Sequence, residues 1–227
     1  MVTAFVSPPA LPRVLTLPGV YAPQADSRLL AAALAGEDIR PGTRVLDLCT
    51  GSGVLAVSAA RRGADVTAVD AVRKAVLTAR LNAFLARRRV RVRHGDLTDD
   101  LPHDAFDIVT CNPPYVPSPT GALPRTGPET AWDAGHDGRA LLDRICVSVP
   151  ALLRRNGVLL MVHSGLCDAD TTVRMLTDAG LRTRVAQRAY VPFGPVLRTR
   201  LAWLRERGLV DTHDEHEELV VIRAEKR

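Results

Sequence analysis

Asn112-Pro113-Pro114-Tyr115 is the segment of this 227-residue chain whose residue types most narrowly limit the chemistry. The side-chain oxygen of Asn112 and the main-chain oxygen of Pro113 are two acceptors that can take both protons of a flat NH2 group. The two prolines stiffen the turn that aims them, and Tyr115 can lie flat against a planar target. A nitrogen whose lone pair is delocalised is a poor nucleophile. A site of this kind therefore works by positioning, which supplies up to ~7–11 kcal/mol in favourable cases. It needs no strong base. The pattern reads a flat NH2 and does not separate a glutamine amide from the exocyclic amine of a nucleobase.

A second group surrounds Asp47-Leu-Cys-Thr-Gly51-Ser-Gly53. Glycines ahead of a helix let a ligand approach the backbone, and the helix start presents free N–H groups. Gly51-x-Gly53-x-x-Ala56, with Asp70 downstream, loosely satisfies a dinucleotide fingerprint. That loop alone does not separate a dehydrogenase from a methyltransferase. Asp47 argues against a dinucleotide, because a carboxylate there repels a pyrophosphate and attracts a cationic amino-acid ligand. Asp96, in His-Gly-Asp-Leu, is placed to accept from an adenine amino group.

To meet, these residues must sit at the ends of neighbouring strands. The hydropathy pattern predicts strands over Thr43–Leu48, Asp65–Asp70, Val90–His94, Asp104–Thr110, Gly157–His163, Leu181–Gln187 and Glu218–Arg223. It predicts helices over Val54–Arg62, Arg73–Ala86, Gly138–Leu153 and Thr171–Gly180, and an Ala/Leu-rich one N-capped by Asp26 or Ser27 and ending near Gly36. Such alternation implies an α/β fold with a mainly parallel sheet and helices on both faces. One domain is expected over 1–227, with an irregular arm over 1–25. Residues 113–137 carry six prolines without periodicity and read as a substrate loop. Residues 192–217 insert a helix, Val196–Arg207, and an acidic stretch between the last two strands.

With 46% hydrophobic and 24% charged residues the chain is not a disordered one. No stretch approaches the ~18 apolar residues of a membrane span. The opening MVTAFVSPPALPRV lacks the features of an export signal. The cysteines, Cys49, Cys111, Cys146 and Cys167, form no C-x-x-C pair, so reduced thiols, no metal site and a cytoplasmic location are expected. Net charge is +5, and Lys74 and Lys226 are the only lysines among 30 basic residues. That balance permits an acidic partner without requiring one.

Taken together, the motifs resemble those of the class I S-adenosylmethionine (SAM)-dependent methyltransferases, and within them the HemK/PrmC family of protein N5-glutamine methyltransferases. The resemblance covers about residues 20–165. It rests on Val20-Tyr-Ala-Pro-Gln-Ala-Asp-Ser27, VLDLCTGSG, AVD, GDL, NPPY and Trp132-Asp-Ala-Gly-His-Asp-Gly-Arg139. It implies a doubly wound, Rossmann-like sheet of seven strands with an antiparallel C-terminal strand. With no room for an extra helical domain, the chain is similar to the short, stand-alone branch acting on class I release factors. The implied target is the glutamine of their Gly-Gly-Gln loop; a nucleobase or small natural product stays open as target, as does a non-catalytic SAM-binding module. For the cofactor the resemblance implies Asp47 at the methionine ammonium and the backbone around Cys49 and Gly51 at the methionine portion. It places Asp70 at the ribose hydroxyls, Asp96 and Leu97 at the adenine, Ser27 closing the pocket, and Asn112 by the reacting groups. Asn112, Pro113, Pro114 and Tyr115 would hold the substrate. Cys49 stands where the family usually has a glycine. Members of the short branch often need a small zinc-binding activator protein.

Weaker signals have plainer readings. His213 and His216 fit a solvated acidic loop. His163 and Ser164 fit a hydrogen-bonded strand end, while Tyr21 and Pro23 serve packing or the pocket. Arg91 and Arg93 alternate with valines, as charges protecting a sheet edge do. In Val196–Arg207 the leucines share a face that would cover the sheet, which leaves the arginine side for a partner.

Overall fold

Strands alternating with Ala- or Leu-rich helices, except between β3 and β4, build one sheet in the order β3-β2-β1-β4-β5-β7-β6. The computed structural model describes residues 10–227, so residues 1–9 of the expected arm lie outside the described residues. The strands are β1 Arg44–Leu48, β2 Asp65–Asp70, β3 Val90–His94, β4 Phe106–Cys111, β5 Leu153–Ser164, β6 Leu181–Pro192 and β7 His216–Lys226. The helices are α1 Ala25–Ala35, α2 Val54–Arg61, α3 Arg73–Leu85, α4 Ala140–Leu152, α5 Ala169–Asp178 and α6 Pro195–Glu206. Strands β1 to β5 are parallel, and β7 runs antiparallel to both β5 and β6. This is the expected seven-stranded α/β architecture, and β3 does form an edge.

Alternation along each strand sorts the core into two layers. Val45, Ala68, Ile108 and Leu160 face α1, α2 and α3. Leu46, Leu48, Val109, Cys111 and Met161 face α4 and α5. The chain winds outward from β1 to β3, then returns to β4 on the other side of β1. The loops after β1 and β4 therefore part at this switch point and open a crevice at the carboxyl ends of the strands.

Four local expectations are corrected. Helix α1 begins at Ala25 with Gln24 as its N-cap, so Asp26 and Ser27 are not caps but buried first-turn residues, each 3% exposed. Strand β5 starts at Leu153, ahead of Gly157, because a register shift opposite Phe106 and Ile108 absorbs the polar Arg154–Asn156 segment. Strands β6 and β7 are longer than their apolar runs, because backbone pairing continues from Val191 to Glu217 and Pro192 to His216 through polar residues. Finally, α6 does not cover the sheet. Its Leu197 and Leu204 form a separate small core with Phe193 and Val210, against which Val116 and Leu166 pack.

The β6–β7 ribbon explains that last difference. Because β7 is antiparallel to β5, the ribbon's tip lies at the carboxyl end of the parallel strands. Helix α6, inserted at that tip, meets the loop after β4 instead of the sheet face.

Candidate active site

A cleft of about 510 Å³ opens at the switch point, within the size range of small-molecule sites. Its floor is made by the turns after β1, β2, β3 and β4, and residues 113–133 and the arm around Tyr21 wall it.

The turn after β1 is shaped by three left-handed residues, Cys49 (φ 54°), Gly51 (φ 53°) and Gly53 (φ 79°). A Cβ on Gly53 would stand 3.0 Å from that of Ala79, so glycine lets the turn lie directly on α3. Asn82 of α3 ties this turn to the arm, donating at 2.8 Å to the carbonyls of both Ser52 and Leu15. Asp47 is placed differently from the expectation. It points beneath the turn, 1% exposed, and accepts from Thr50 Oγ1 at 2.6 Å, Thr110 Oγ1 at 2.7 Å and the Ala56 N–H at 3.2 Å. It does not line the cleft. Burial pushes its carboxyl up to about 6 against the pull of those donors. Asp47 holds the turn's shape; the expected direct contact with a ligand ammonium is not what its geometry provides.

Asp70, at the end of β2, does line the cleft. Its Oδ2 accepts from the Gly51 N–H and its Oδ1 from the Val72 N–H, both at 2.9 Å. Each carboxylate oxygen keeps a second lone pair, which is the geometry for a pair of vicinal hydroxyls. Burial raises its pKa, opposed by the two N–H donors. Asp96 follows β3 and pairs with Arg144 of α4 at 2.8 Å through Oδ2, leaving Oδ1 uncommitted. Leu97 beside it is 7% exposed and turns through φ 48°.

The opposite end of the cleft is organised by a residue that sequence reading treated only as a helix cap. Asp26 Oδ2 accepts from Tyr21 Oη at 2.8 Å, Asn112 Nδ2 at 3.1 Å and Tyr115 Oη at 3.2 Å. Burial, then the Asp26 charge, raises the pKa of both phenols, so both stay protonated and donate. The carboxylate accepts only, so it fixes which way the Asn112 amide points: NH2 toward Asp26, oxygen away from it. Ser27 Oγ lies 3.1 Å from Asp26 Oδ1 and 3.4 Å from Asn112 Nδ2. Asp26 is 86 residues from Asn112 and 89 from Tyr115. No spacing rule relates them.

The loop after β4 is held from outside. The Val116 and Ala134 backbones pair with the Trp132 carbonyl and the Val116 carbonyl at 2.7 and 3.1 Å. Arg200 of α6 pairs with Asp133 at 2.7 Å and donates to the Pro117 carbonyl at 2.9 Å. Further along, Arg139 is 7% exposed and bonds Asp143 at 2.7 Å, Asp168 O at 3.0 Å and Thr172 Oγ1 at 3.1 Å, pinning the end of the loop to α5.

Residues 12–121 match the family model described as Methyltransferase small domain. A Methanocaldococcus jannaschii protein, provisionally named a protein N5-glutamine methyltransferase, is 32% identical over 78% of this chain and 88% of its own length. The release factor glutamine methyltransferase of Mycolicibacterium smegmatis is 33% identical over 82% of this chain and 69% of its own. This chain belongs to the protein N5-glutamine methyltransferase family. A chain from the E. cuniculi Mtq2–Trm112 complex, responsible for methylation of the eRF1 termination factor, shares the fold. Its TM-score is 0.66 at 22% identity, covering 92% of this chain and 99% of that one.

As a SAM-dependent methyltransferase, this family member has the parts its cofactor needs in one cleft. Ser27, Cys49, Gly51, Asp70, Asp96, Leu97, Asn112, Pro113, Pro114 and Tyr115 all line it. Acceptors for vicinal hydroxyls sit at Asp70, and an uncommitted carboxylate oxygen at Asp96 lies beside apolar Leu97. These fit a ribose and an adenine. Of the expected site residues, Asp47 alone stands outside the wall. Tyr21 and Pro23 join it, and so does Asp26, which the sequence offered only as part of an Asp-Ser pair before a helix.

Proposed function

We propose that this chain transfers the SAM methyl group to the side-chain amide nitrogen of a glutamine, that of the Gly-Gly-Gln loop of a class I release factor. The observation that carries this is the Asp26–Asn112 contact: it commits the Asn112 NH2 to Asp26 and leaves the Asn112 oxygen free to accept. That oxygen and the Pro113 carbonyl would accept the two amide protons and hold the nitrogen's face toward the methyl donor. Tyr115, fixed by its own bond to Asp26, would stack on the amide plane. Ser27, Cys49, Gly51, Asp70, Asp96 and Leu97 would hold the cofactor, which supplies an electrophilic methyl on a sulfonium. One N–H proton is lost for each methyl gained, so the product is a neutral N-methyl amide. The barrier falls by alignment in a partly desolvated site, and no general base has to act on the nitrogen first.

The family membership supports a glutamine over a nucleobase, which the Asn-Pro-Pro-Tyr geometry alone would also accept. The names of relatives support the release factor. Incubation with SAM and a release factor, followed by peptide mass spectrometry, tests this directly. One methyl on the Gly-Gly-Gln glutamine, absent when that residue is alanine, is expected. Methylation of a ribosomal protein glutamine instead, the target by which other relatives are named, would replace the substrate and keep the chemistry. Methylation of RNA alone would overturn both.

The proposal includes a small activator subunit. Its support is that the similar fold comes from a two-protein complex, and that α3 leaves Leu77, Phe84 and Leu85 59%, 78% and 56% exposed beside the open edge of β3. Full activity of the chain alone would remove this element. No helix of the described residues is long and apolar enough to cross a membrane. A release-factor substrate would put the enzyme with the ribosome in the cytoplasm.

A further inference from the structure

Two of the four cysteines meet where the cofactor turn and the amide-holding loop leave the sheet. Strands β1 and β4 are adjacent and parallel, with Leu48 opposite Cys111. Neighbouring strands lie about 4.8 Å apart and successive residues about 3.3 Å, which sets the position after Leu48 about 6 Å from Cys111, within the ~4.4–6.8 Å between α-carbons that a disulfide spans. Cys49 is the next residue after Leu48. Its left-handed turn, φ 54°, brings its side chain to the face of the sheet that holds Cys111. Cys49 packs against the buried cluster that contains Cys111. Their surroundings differ sharply: Cys49 is half-buried and lines the cleft, while Cys111 is wholly buried. One sulfur is open to small solutes, and the other is buried in the cluster it packs against.

We propose that Cys49 and Cys111 form a reversible oxidation site that closes to a disulfide and disables the cofactor cleft. The oxidant is a small peroxide. The Cys49 thiolate attacks one peroxide oxygen; the S–O bond forms, the O–O bond breaks, and hydroxide leaves with the second oxygen. The Cys111 sulfur then attacks the Cys49 sulfenic acid, forming the S–S bond as water departs with the Cys111 proton. In sum, two thiols are oxidised and one hydrogen peroxide is reduced to two waters. Burial keeps the Cys111 thiol protonated, which confines the first step to Cys49.

The consequence follows from the neighbours in sequence. Cys111 is bonded to Asn112, and Cys49 is two residues from Gly51, whose N–H holds Asp70. A disulfide demands its own Cβ separation and torsion, so closing it moves the amide-holding loop and the ribose-holding turn against each other. In a site that works by positioning, a misplacement of about 1 Å costs on the order of 10²-fold in rate. A glycine at position 49, the residue usual in the family, would leave Cys111 without a partner.

The test uses the full chain, treated with hydrogen peroxide and then alkylated. Intact mass should fall by two hydrogens, two fewer thiols should be alkylated, and peptide mapping should join Cys49 to Cys111. Affinity for S-adenosylhomocysteine, measured by calorimetry, should drop about tenfold or more and return with dithiothreitol. The Cys111→Ser variant should not lose the two hydrogens, its Cys49 gaining oxygens instead; Cys111→Ala serves the same purpose should the serine variant fail to fold. A crosslink between Cys111 and Cys146, Cys49 oxidised without any crosslink, or a Cys49–Cys111 bond that leaves cofactor affinity unchanged would each overturn the proposal. None of these readouts depends on which glutamine is the substrate.

Discussion

A carboxylate beside an asparagine is a stronger orienting device than a second amide, because it offers no donor. With Asp26 accepting from Tyr21, Asn112 and Tyr115 at once, three residues of the cleft wall share one anchor. Replacing Asp26 with asparagine puts a donor among three donors and lets the Asn112 amide turn over. We expect Asp26→Asn to lower kcat about tenfold or more, the equivalent of one charged hydrogen bond of ~1.5–3 kcal/mol, with fold intact by circular dichroism. Asn112→Ala should lower kcat further, on the order of 10²-fold, while cofactor affinity by calorimetry changes little. Asp70→Ala should do the reverse, weakening cofactor binding by about ten- to hundredfold through loss of an acceptor pair. Were Asn112→Ala to keep most of the activity, the two-oxygen arrangement would not be the catalytic device.

Elements carry the next level, and here the division between what the chain shows in one dimension and what needs three is plain. Hydropathy alternation marks β2 and β3 to the residue, because each is short and carries valines at every second or third position. It misses the start of β5, where a register shift hides three polar residues inside a strand. It also cannot say what α6 covers, because an apolar stripe fits any apolar surface. The Asp70, Asp96 and Asn112 positions are legible because each closes a strand of a recurring pattern; Asp26 is not, since its partners arrive through β-sheet order. Asp47 is misplaced for the opposite reason: a motif residue suggests a ligand, yet strand parity sends it to the α2 side with Thr110. The α6 packing has a functional reading. Arg200, 16% exposed, pairs with Asp133, 7% exposed, and so joins the β6–β7 ribbon to the loop after β4. Removing one partner of a largely buried pair is costly, ~3–5 kcal/mol when burial is complete. Arg200→Ala should therefore raise KM for the protein substrate and speed proteolysis between Pro117 and Asp133, leaving cofactor affinity in place. Unchanged KM and proteolysis would mean that α6 does not hold the loop.

At the scale of the whole molecule, the sheet concentrates carboxyl groups at one end while the net charge is +5. Glu217 at the start of β7 is 9% exposed, and its Oε2 has no hydrogen-bond partner among the described residues. Burial pushes its carboxyl up to about 7, with Asp26 adding to the rise and Ser164 opposing it. Asp47 is raised to about 6 by burial as well. Both folded-state values lie above those of the unfolded chain, so the folded state holds more protons between them. Stability from these two groups is fully present below their unfolded values, near 4, and is lost as pH rises through 6 and 7. Moving one carboxyl from 4.5 to about 7 corresponds to about 3 kcal/mol. For a protein of this size each kcal/mol shifts Tm by about 2–4 °C. Glu217→Gln keeps the shape and removes the charge, so its Tm should exceed that of the wild type by several degrees at pH 8 and match it near pH 4. Melting curves across that range decide the matter: a pH-independent difference would show that Glu217 acts through packing, and a lower Tm at pH 8 would show that its ionised form is held by favourable contacts. The turn after β1 needs Asp47, and the sheet that positions it supplies the burial that makes its charge costly.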